Sequence, residues 1–112
     1  MIQLIGLTSE AHQEHIIHFG DNDITLTLRF YSTIPMWCFD VTYKGRSVNG
    51  VKLSLGVLHL ESYNFPFDIA LNDTSQLGID PYKIDDFESG RILIAIIEAD
   101  EIAQIRGYEV EL

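Results

Sequence analysis

Residues 22–43 read NDITLTLRFYSTIPMWCFDVTY, and this stretch decides the fold. Ile24, Leu26, Leu28 and Phe30 alternate with Thr25, Thr27, Arg29 and Tyr31. A break at Ser32-Thr33-Ile34-Pro35 follows. A second alternation then sets Trp37, Phe39, Val41 and Tyr43 against Met36, Cys38, Asp40 and Thr42. Successive side chains of an extended backbone point to opposite sides, so two adjacent segments with period two predict paired strands with one face in a core.

The same grammar extends outward from the hairpin. On the N-terminal side, the sequence predicts strands over Ile2 to Leu7 and His12 to Phe19, with Ile17 and Phe19 pointing inward. On the C-terminal side, Lys44-Gly45-Arg46 is a turn leading into residues 47–53, where Gly50 predicts a bulge or a close backbone approach. Val57 to Ser62, Phe67 to Leu71, Arg91 to Ile97 and Ala103 to Glu111 read as further strands, and Pro66 places the start of 67–71 at a sheet edge. Asn72 to Gly90 is the least regular part, rich in turn residues. Helical periodicity is confined to one turn within 80–87 and two within 98–105, and the strand pattern outweighs both. Eight or nine short strands predict an all-β fold, a small sandwich or a partly open barrel, with little helix.

One domain is expected over residues 1–112, because a chain of this length with 46% hydrophobic residues fills a core without staples. The single cysteine, Cys38, cannot form an intrachain disulfide and is expected to pack as a small apolar side chain in a reducing compartment. No apolar run approaches the roughly 20 residues of a membrane span. The N-terminus lacks the pattern of a secretory leader, so production in the cytoplasm is expected.

Seventeen acidic residues face seven basic ones, a formal net charge of −10. Residues 1–60 hold five acids and four bases, whereas 61–112 hold twelve acids and three bases. Phosphate-backbone binding requires clustered Lys or Arg, so direct nucleic-acid binding is not expected. An acidic half keeps a subunit soluble or meets a basic partner.

Several residues could carry chemistry, and each has a structural reading that fits better. His12, His15 and His18 would share one helix face. In a strand, however, His15 points away from the other two, which removes a zinc triad. His59, alone in an apolar run, is expected to be a packing residue with satisfied nitrogens. The acids Asp80, Asp85, Asp86 and Glu88 do not match the spacing of a calcium loop and read as a solvated loop. No carboxylate pair, phosphate loop or nucleophile elbow is present, so no catalytic residue, metal ligand or cofactor is expected. Tyr63, Phe65, Phe67, Tyr82, Phe87 and Tyr108 are expected in the core or at subunit contacts, with Trp37 as a core anchor.

The order of these features resembles the small baseplate plug proteins of contractile-tailed bacteriophages. The resemblance rests on Met1-Ile2-Gln3-Leu4-Ile5-Gly6-Leu7-Thr8 with the strand ending at Phe19, on residues 23–31, and on Met36-Trp37-Cys38-Phe39-Asp40-Val41. It continues through Lys44-Gly45, Val48-Asn49-Gly50-Val51-Lys52-Leu53, Gly78-Ile79-Asp80-Pro81 and Gly90-Arg91-Ile92-Leu93, covering residues 1–97. It matches 57–71 loosely, and 98–112 lies beyond it. The resemblance implies a structural virion protein of the central tail baseplate, assembled in the host cytoplasm. Such a protein contacts hub, spike or tail tube subunits, with self-association left open. The 72–90 loop and the strand edges would be its contact surfaces. The competing reading is a small-ligand or carbohydrate-binding β domain. It requires a concave pocket lined by aromatics such as Tyr63, Phe65 and Tyr82.

Overall fold

The hairpin at 22–43 forms as the alternation dictates. In the computed structural model, which describes residues 1–102, β3 (Asn22–Tyr31) pairs antiparallel with β4 (Met36–Tyr43), Leu28 opposite Phe39 and Phe30 opposite Trp37. Ile24, Leu26, Leu28, Trp37, Phe39 and Val41 lose all solvent exposure. The strand before the hairpin, β2 (His12–Phe19), pairs with β3 through the two-residue turn Gly20-Asp21. The strand after it, β5 (Arg46–Lys52), pairs with β4. Lys44 and Gly45 both take positive φ, the two-residue turn whose twist suits a hairpin.

Gly50 forms the expected bulge. The β4–β5 register shifts between Phe39 and Val41, Gly50 turns to φ +70°, and its N–H donates to Asp40 Oδ1 at 2.8 Å.

A second antiparallel sheet, in the order β1-β7-β6, covers the four-stranded sheet β2-β3-β4-β5. Its members are β1 (Ile2–Gln3), β6 (Phe67–Asp73) and β7 (Ile92–Glu98). Ile69, Ile92, Ile94 and Ile96 from this sheet and the inward residues of the hairpin form one buried cluster. Over the described residues the molecule is therefore an all-β sandwich of seven strands with little helix. Aromatic rings close the cluster at both ends. Phe19, Tyr43 and Phe67 meet edge to face at 5.2–6.0 Å at one end. At the other, Phe30 and Phe87 flank Trp37 at 5.3 and 5.0 Å.

Two expected strands differ. The first covers Ile2–Gln3 rather than Ile2 to Leu7. Leu4 N–H still donates to Ile94 O, but Gly6 at φ +75° turns the chain away from the sheet. Val57 to Ser62 is not a strand. Gly56 turns at φ +71°, and Glu61–Tyr63 forms a 3₁₀ turn. His59 holds this segment inward, since its Nδ1–H donates to Ile69 O at 2.6 Å and its Nε2 accepts Ser54 N–H at 2.9 Å. Local polar bonds therefore override the apolar run. Helical backbone appears over residues 99–102. The strand expected at Ala103 to Glu111 lies outside the described residues, as does Tyr108.

Candidate functional site

The least regular part of the sequence becomes a stapled loop, the connection from β6 to β7. It has little periodic burial to order it, so its order must come from specific bonds. Arg91, at the loop's end, supplies them. Its Nε and Nη2 donate to Asp86 Oδ1 and Oδ2 at 2.7 and 2.9 Å, a two-pronged ion pair. Its other N–H groups reach Ile79 O at 3.1 Å and Asp80 O at 3.3 Å. Asp73, where the loop begins, lies 3.7 Å from Nη1, and the Tyr82 ring stacks against the guanidinium at 5.4 Å.

Asp86 organises the rest of the turn. Its Oδ2 also accepts the N–H groups of Tyr82 and Lys83, each at 2.8 Å. Burial pushes the carboxyl pKa up, but Arg91 and the two backbone donors outweigh it and hold the pKa at about 2. The loop is then fastened to the sandwich. Trp37 Nε1–H donates to Lys83 O at 3.0 Å, and Phe87 packs on the Trp37 ring. Asp80 Oδ1 accepts Leu55 N–H at 2.9 Å, and Ser9 Oγ donates to Glu88 at 2.5 Å.

This scaffold presents four large apolar side chains outward among exposed polar ones. Leu77, Ile79, Tyr82 and Ile84 are all exposed, Leu77 to 61%, with the acids Asp85 and Glu88 beside them. At the same end of the sandwich, Ile34 is 70% exposed on the turn that leads into Trp37. Large apolar side chains held outward on a fixed backbone are a feature that contact surfaces share.

The expected site residues are scattered. His12 and His18 stand exposed on the outer face of β2, while His15 turns inward and donates through Nε2 to Gln13 Oε1 at 2.7 Å. Burial lowers the His15 pKa. Among the described residues, no three His, Cys, Asp or Glu come together in a way that could hold a metal ion. Cys38 is buried, and desolvation raises its pKa.

The acidic group expected to be a solvated loop divides. Asp85 and Glu88 are exposed and Asp80 is half-buried, but Asp86 is 1% exposed and structural. The cause is Arg91, whose bidentate fork makes burial of that carboxylate tolerable.

The aromatics divide too. Phe87 and Trp37 lie in the core and Tyr82 stacks on Arg91. Phe65 and Tyr63 lie by the opposite, Phe67 end, where the Arg46 guanidinium covers the Phe65 ring at 4.5 Å. A cavity of about 150 Å³ at that end is lined by Phe65, Phe67, Asp68 and Ile102, without Tyr63 or Tyr82. The three aromatics proposed for a sugar site therefore do not line one concavity.

Two polar anchors carry no mark in the sequence pattern. Gln13 accepts Thr8 N–H at 3.0 Å and donates to the carbonyls of Thr8 and Glu10, tying the N-terminal segment to β2. Asp68, on the outer side of β6, accepts Leu60 N–H and Ile69 N–H at 2.8 and 2.7 Å. Its desolvation outweighs those bonds and raises its pKa.

Among the described residues, no helix is long and apolar enough to cross a membrane. Residues 2–99 match the family model described as cyanophage baseplate Pam3 plug gp18. No curated protein matches the chain.

Proposed function

The chain belongs to this baseplate plug family, a structural component of the phage tail baseplate, and on that premise we propose that it seals the central hub near the tip of the tail tube. The family match over residues 2–99 carries the reading, and it spans every strand of the sandwich. Membership implies contact with other tail proteins. The finer assignment is that hub, spike or tube subunits meet the stapled β6–β7 loop. Its outward Leu77, Ile79, Tyr82 and Ile84 supply apolar area, and Asp85 and Glu88 favour a partner surface with a basic rim. A pre-ordered loop loses little conformational entropy on docking, which suits an assembly that must close in one geometry. The plug acts as one β domain over 1–112, assembled in the host cytoplasm, and works through contacts rather than catalysis.

The test is co-expression with the hub, spike and tube proteins of the same phage, followed by light scattering and electron microscopy of the complex. A stable complex with density for this chain on the tube axis is expected. Leu77→Lys combined with Ile79→Lys should abolish the complex while the free subunit keeps its β spectrum. Failure of the wild-type chain to co-assemble with any of the three would overturn the assignment.

A further inference from the structure

We propose that β2 is a docking edge for a second copy of this chain, the two β2 strands pairing antiparallel about a two-fold axis at Ile16. An exposed strand edge is a template for pairing, and natural sheets blunt their edges with short strands, bulges, charges or proline. Among the described residues the two sheets have four edges, and three of them are blunted. β1 has two residues; β5 carries the Gly50 bulge with Arg46 and Lys52; β6 follows Pro66 and contains the buried Asp68. β2 runs eight residues in unbroken register with no Pro, Gly or bulge, and Glu14 is its single charged acid.

Its open side can be read from the hydrogen-bond phase. Ala11 O accepts Phe30 N–H, so the odd positions 11, 13, 15 and 17 bond to β3. The backbone N–H and C=O groups of His12, Glu14, Ile16 and His18 therefore point away from the sheet. Among the described residues, no backbone hydrogen bond is made on that side. Apolar surface borders this edge: Ile16 is 60% exposed, Ile5 86%, and a cavity of about 300 Å³ lies between residues 2–5 and 15–18.

Self-complementarity and charge select a second copy as the occupant. With Ile16 on the axis, Ile16 faces Ile16 of the partner subunit and Glu14 faces His18 of the partner subunit, twice by symmetry. The apolar cross-strand pair favours this register, and Glu14 would flank an imidazole whose Nδ1 already meets Asp23 Oδ1 of its own chain at 2.8 Å. The even positions it joins are those with free backbone groups. Two chains at −10 each repel elsewhere, but residues 1–20 hold only Glu10 and Glu14 of the seventeen acids. The dimer would merge two four-stranded sheets into one of eight strands, an isologous interface.

Sedimentation equilibrium of the full chain should show a reversible dimer. In that dimer, amide exchange measured by NMR should slow at Glu14, Ile16 and His18, joining Gln13, His15 and Ile17, which β3 already protects. Ile16→Lys changes an exposed side chain and should leave a folded monomer whose Glu14 and His18 amides exchange freely. His18→Glu sets like charges opposite each other and should weaken the dimer several-fold, and His18→Glu with Glu14→Lys should restore it. A wild-type chain that stays monomeric at every concentration would overturn the proposal, as would a dimer in which the even amides remain unprotected. Protection that arises only on adding a hub, spike or tube protein would assign the edge to that protein and overturn the second copy. If Ile16→Lys fails to fold, the wild-type amide pattern alone decides.

Discussion

The β3–β4 hairpin and the β6–β7 loop are both ordered, yet by different physics. The hairpin is held by repetition: Ile24, Leu26 and Leu28 on one strand and Trp37, Phe39, Val41 and Tyr43 on the other are buried at every second position, and no single contact is indispensable in kind. The loop is held by singular bonds, most of them converging on Arg91 and Asp86. A periodic core degrades gradually when one side chain is trimmed. A polar staple fails as a unit, because removing one partner strands a buried charge.

The largest effect should come where the two regimes join. Trp37 is fully buried, packs against Phe30 and Phe87, and donates to Lys83 O in the loop. Trp37→Ala should cost about 3–5 kcal/mol in denaturant unfolding, through the cavity it opens in the core. It also frees the Lys83 carbonyl, so loop and hairpin should loosen together. A loss below about 1 kcal/mol would show that the two regions are not mechanically joined.

Arg91→Ala should come next, at roughly 3 kcal/mol, since Asp86 is left buried without its counter-ion. The comparison predicts a spatial signature as well. Amide protection should collapse at Tyr82 and Lys83 while Leu26 and Leu28 keep theirs relative to global unfolding. Arg91→Lys should recover little, because one ammonium cannot reproduce the two-pronged geometry. Equal loosening of loop and hairpin would mean that Arg91 belongs to the core rather than to a local staple.

This contrast also explains what was legible in the sequence. Period two is visible without knowing what packs on what, so β2, β3, β4, the Gly50 bulge and the inward set from Ile24 to Tyr43 could be read directly. Periodicity does not reach the family, which is legible only as a resemblance of ordered short motifs over residues 1–97. Val57 to Ser62 was misread as a strand because its apolar residues are placed by two bonds of the His59 ring, and a ring's partners leave no trace in periodicity. Asp86 reads as solvated in the sequence because its partner, Arg91, lies at the far end of the loop, where spacing gives no sign of the pairing. The available sign was a lone guanidinium following Asp73, Asp80, Asp85, Asp86 and Glu88. The exposed Leu77, Ile79 and Ile84 could be read as residues, but their outward aim depends on the staple.

Acid should weaken the loop before the hairpin. The folded Asp86 pKa is depressed to about 2, so its contribution is complete above the ordinary carboxylate value near 3.8 and is lost as pH falls from there toward 2. The full depression corresponds to roughly 2 kcal/mol. Asp68 acts with the opposite sign. Its raised pKa means the folded state holds that proton more tightly, so its burial penalty lessens as pH falls through its folded pKa. Asp86→Asn should flatten the acid limb of stability against pH. Asp68→Asn keeps an amide oxygen to accept Leu60 and Ile69 N–H, and should leave neutral-pH stability unchanged or higher. A steeper acid limb in Asp86→Asn would mean the pairing with Arg91 has been assigned the wrong sign.

The smallest expected effect is the sharpest check on the hairpin half of the comparison. Thr27 lies on β3 between the fully buried Leu26 and Leu28, yet its side chain points to the outer face, across from Glu14 and Asp40. Periodic order makes burial alternate, so Thr27→Ala should cost well under 1 kcal/mol, mostly lost β propensity and cross-strand contact. Leu28→Ala, one residue away, should cost roughly 2–5 kcal/mol. Equal losses at the two positions would show that the outer face of this sheet is covered as well. The same measurement repeated on the assembled baseplate complex separates a face that is open in the subunit from one that becomes buried on assembly: a Thr27→Ala cost that rises only there marks a contact made by the tail.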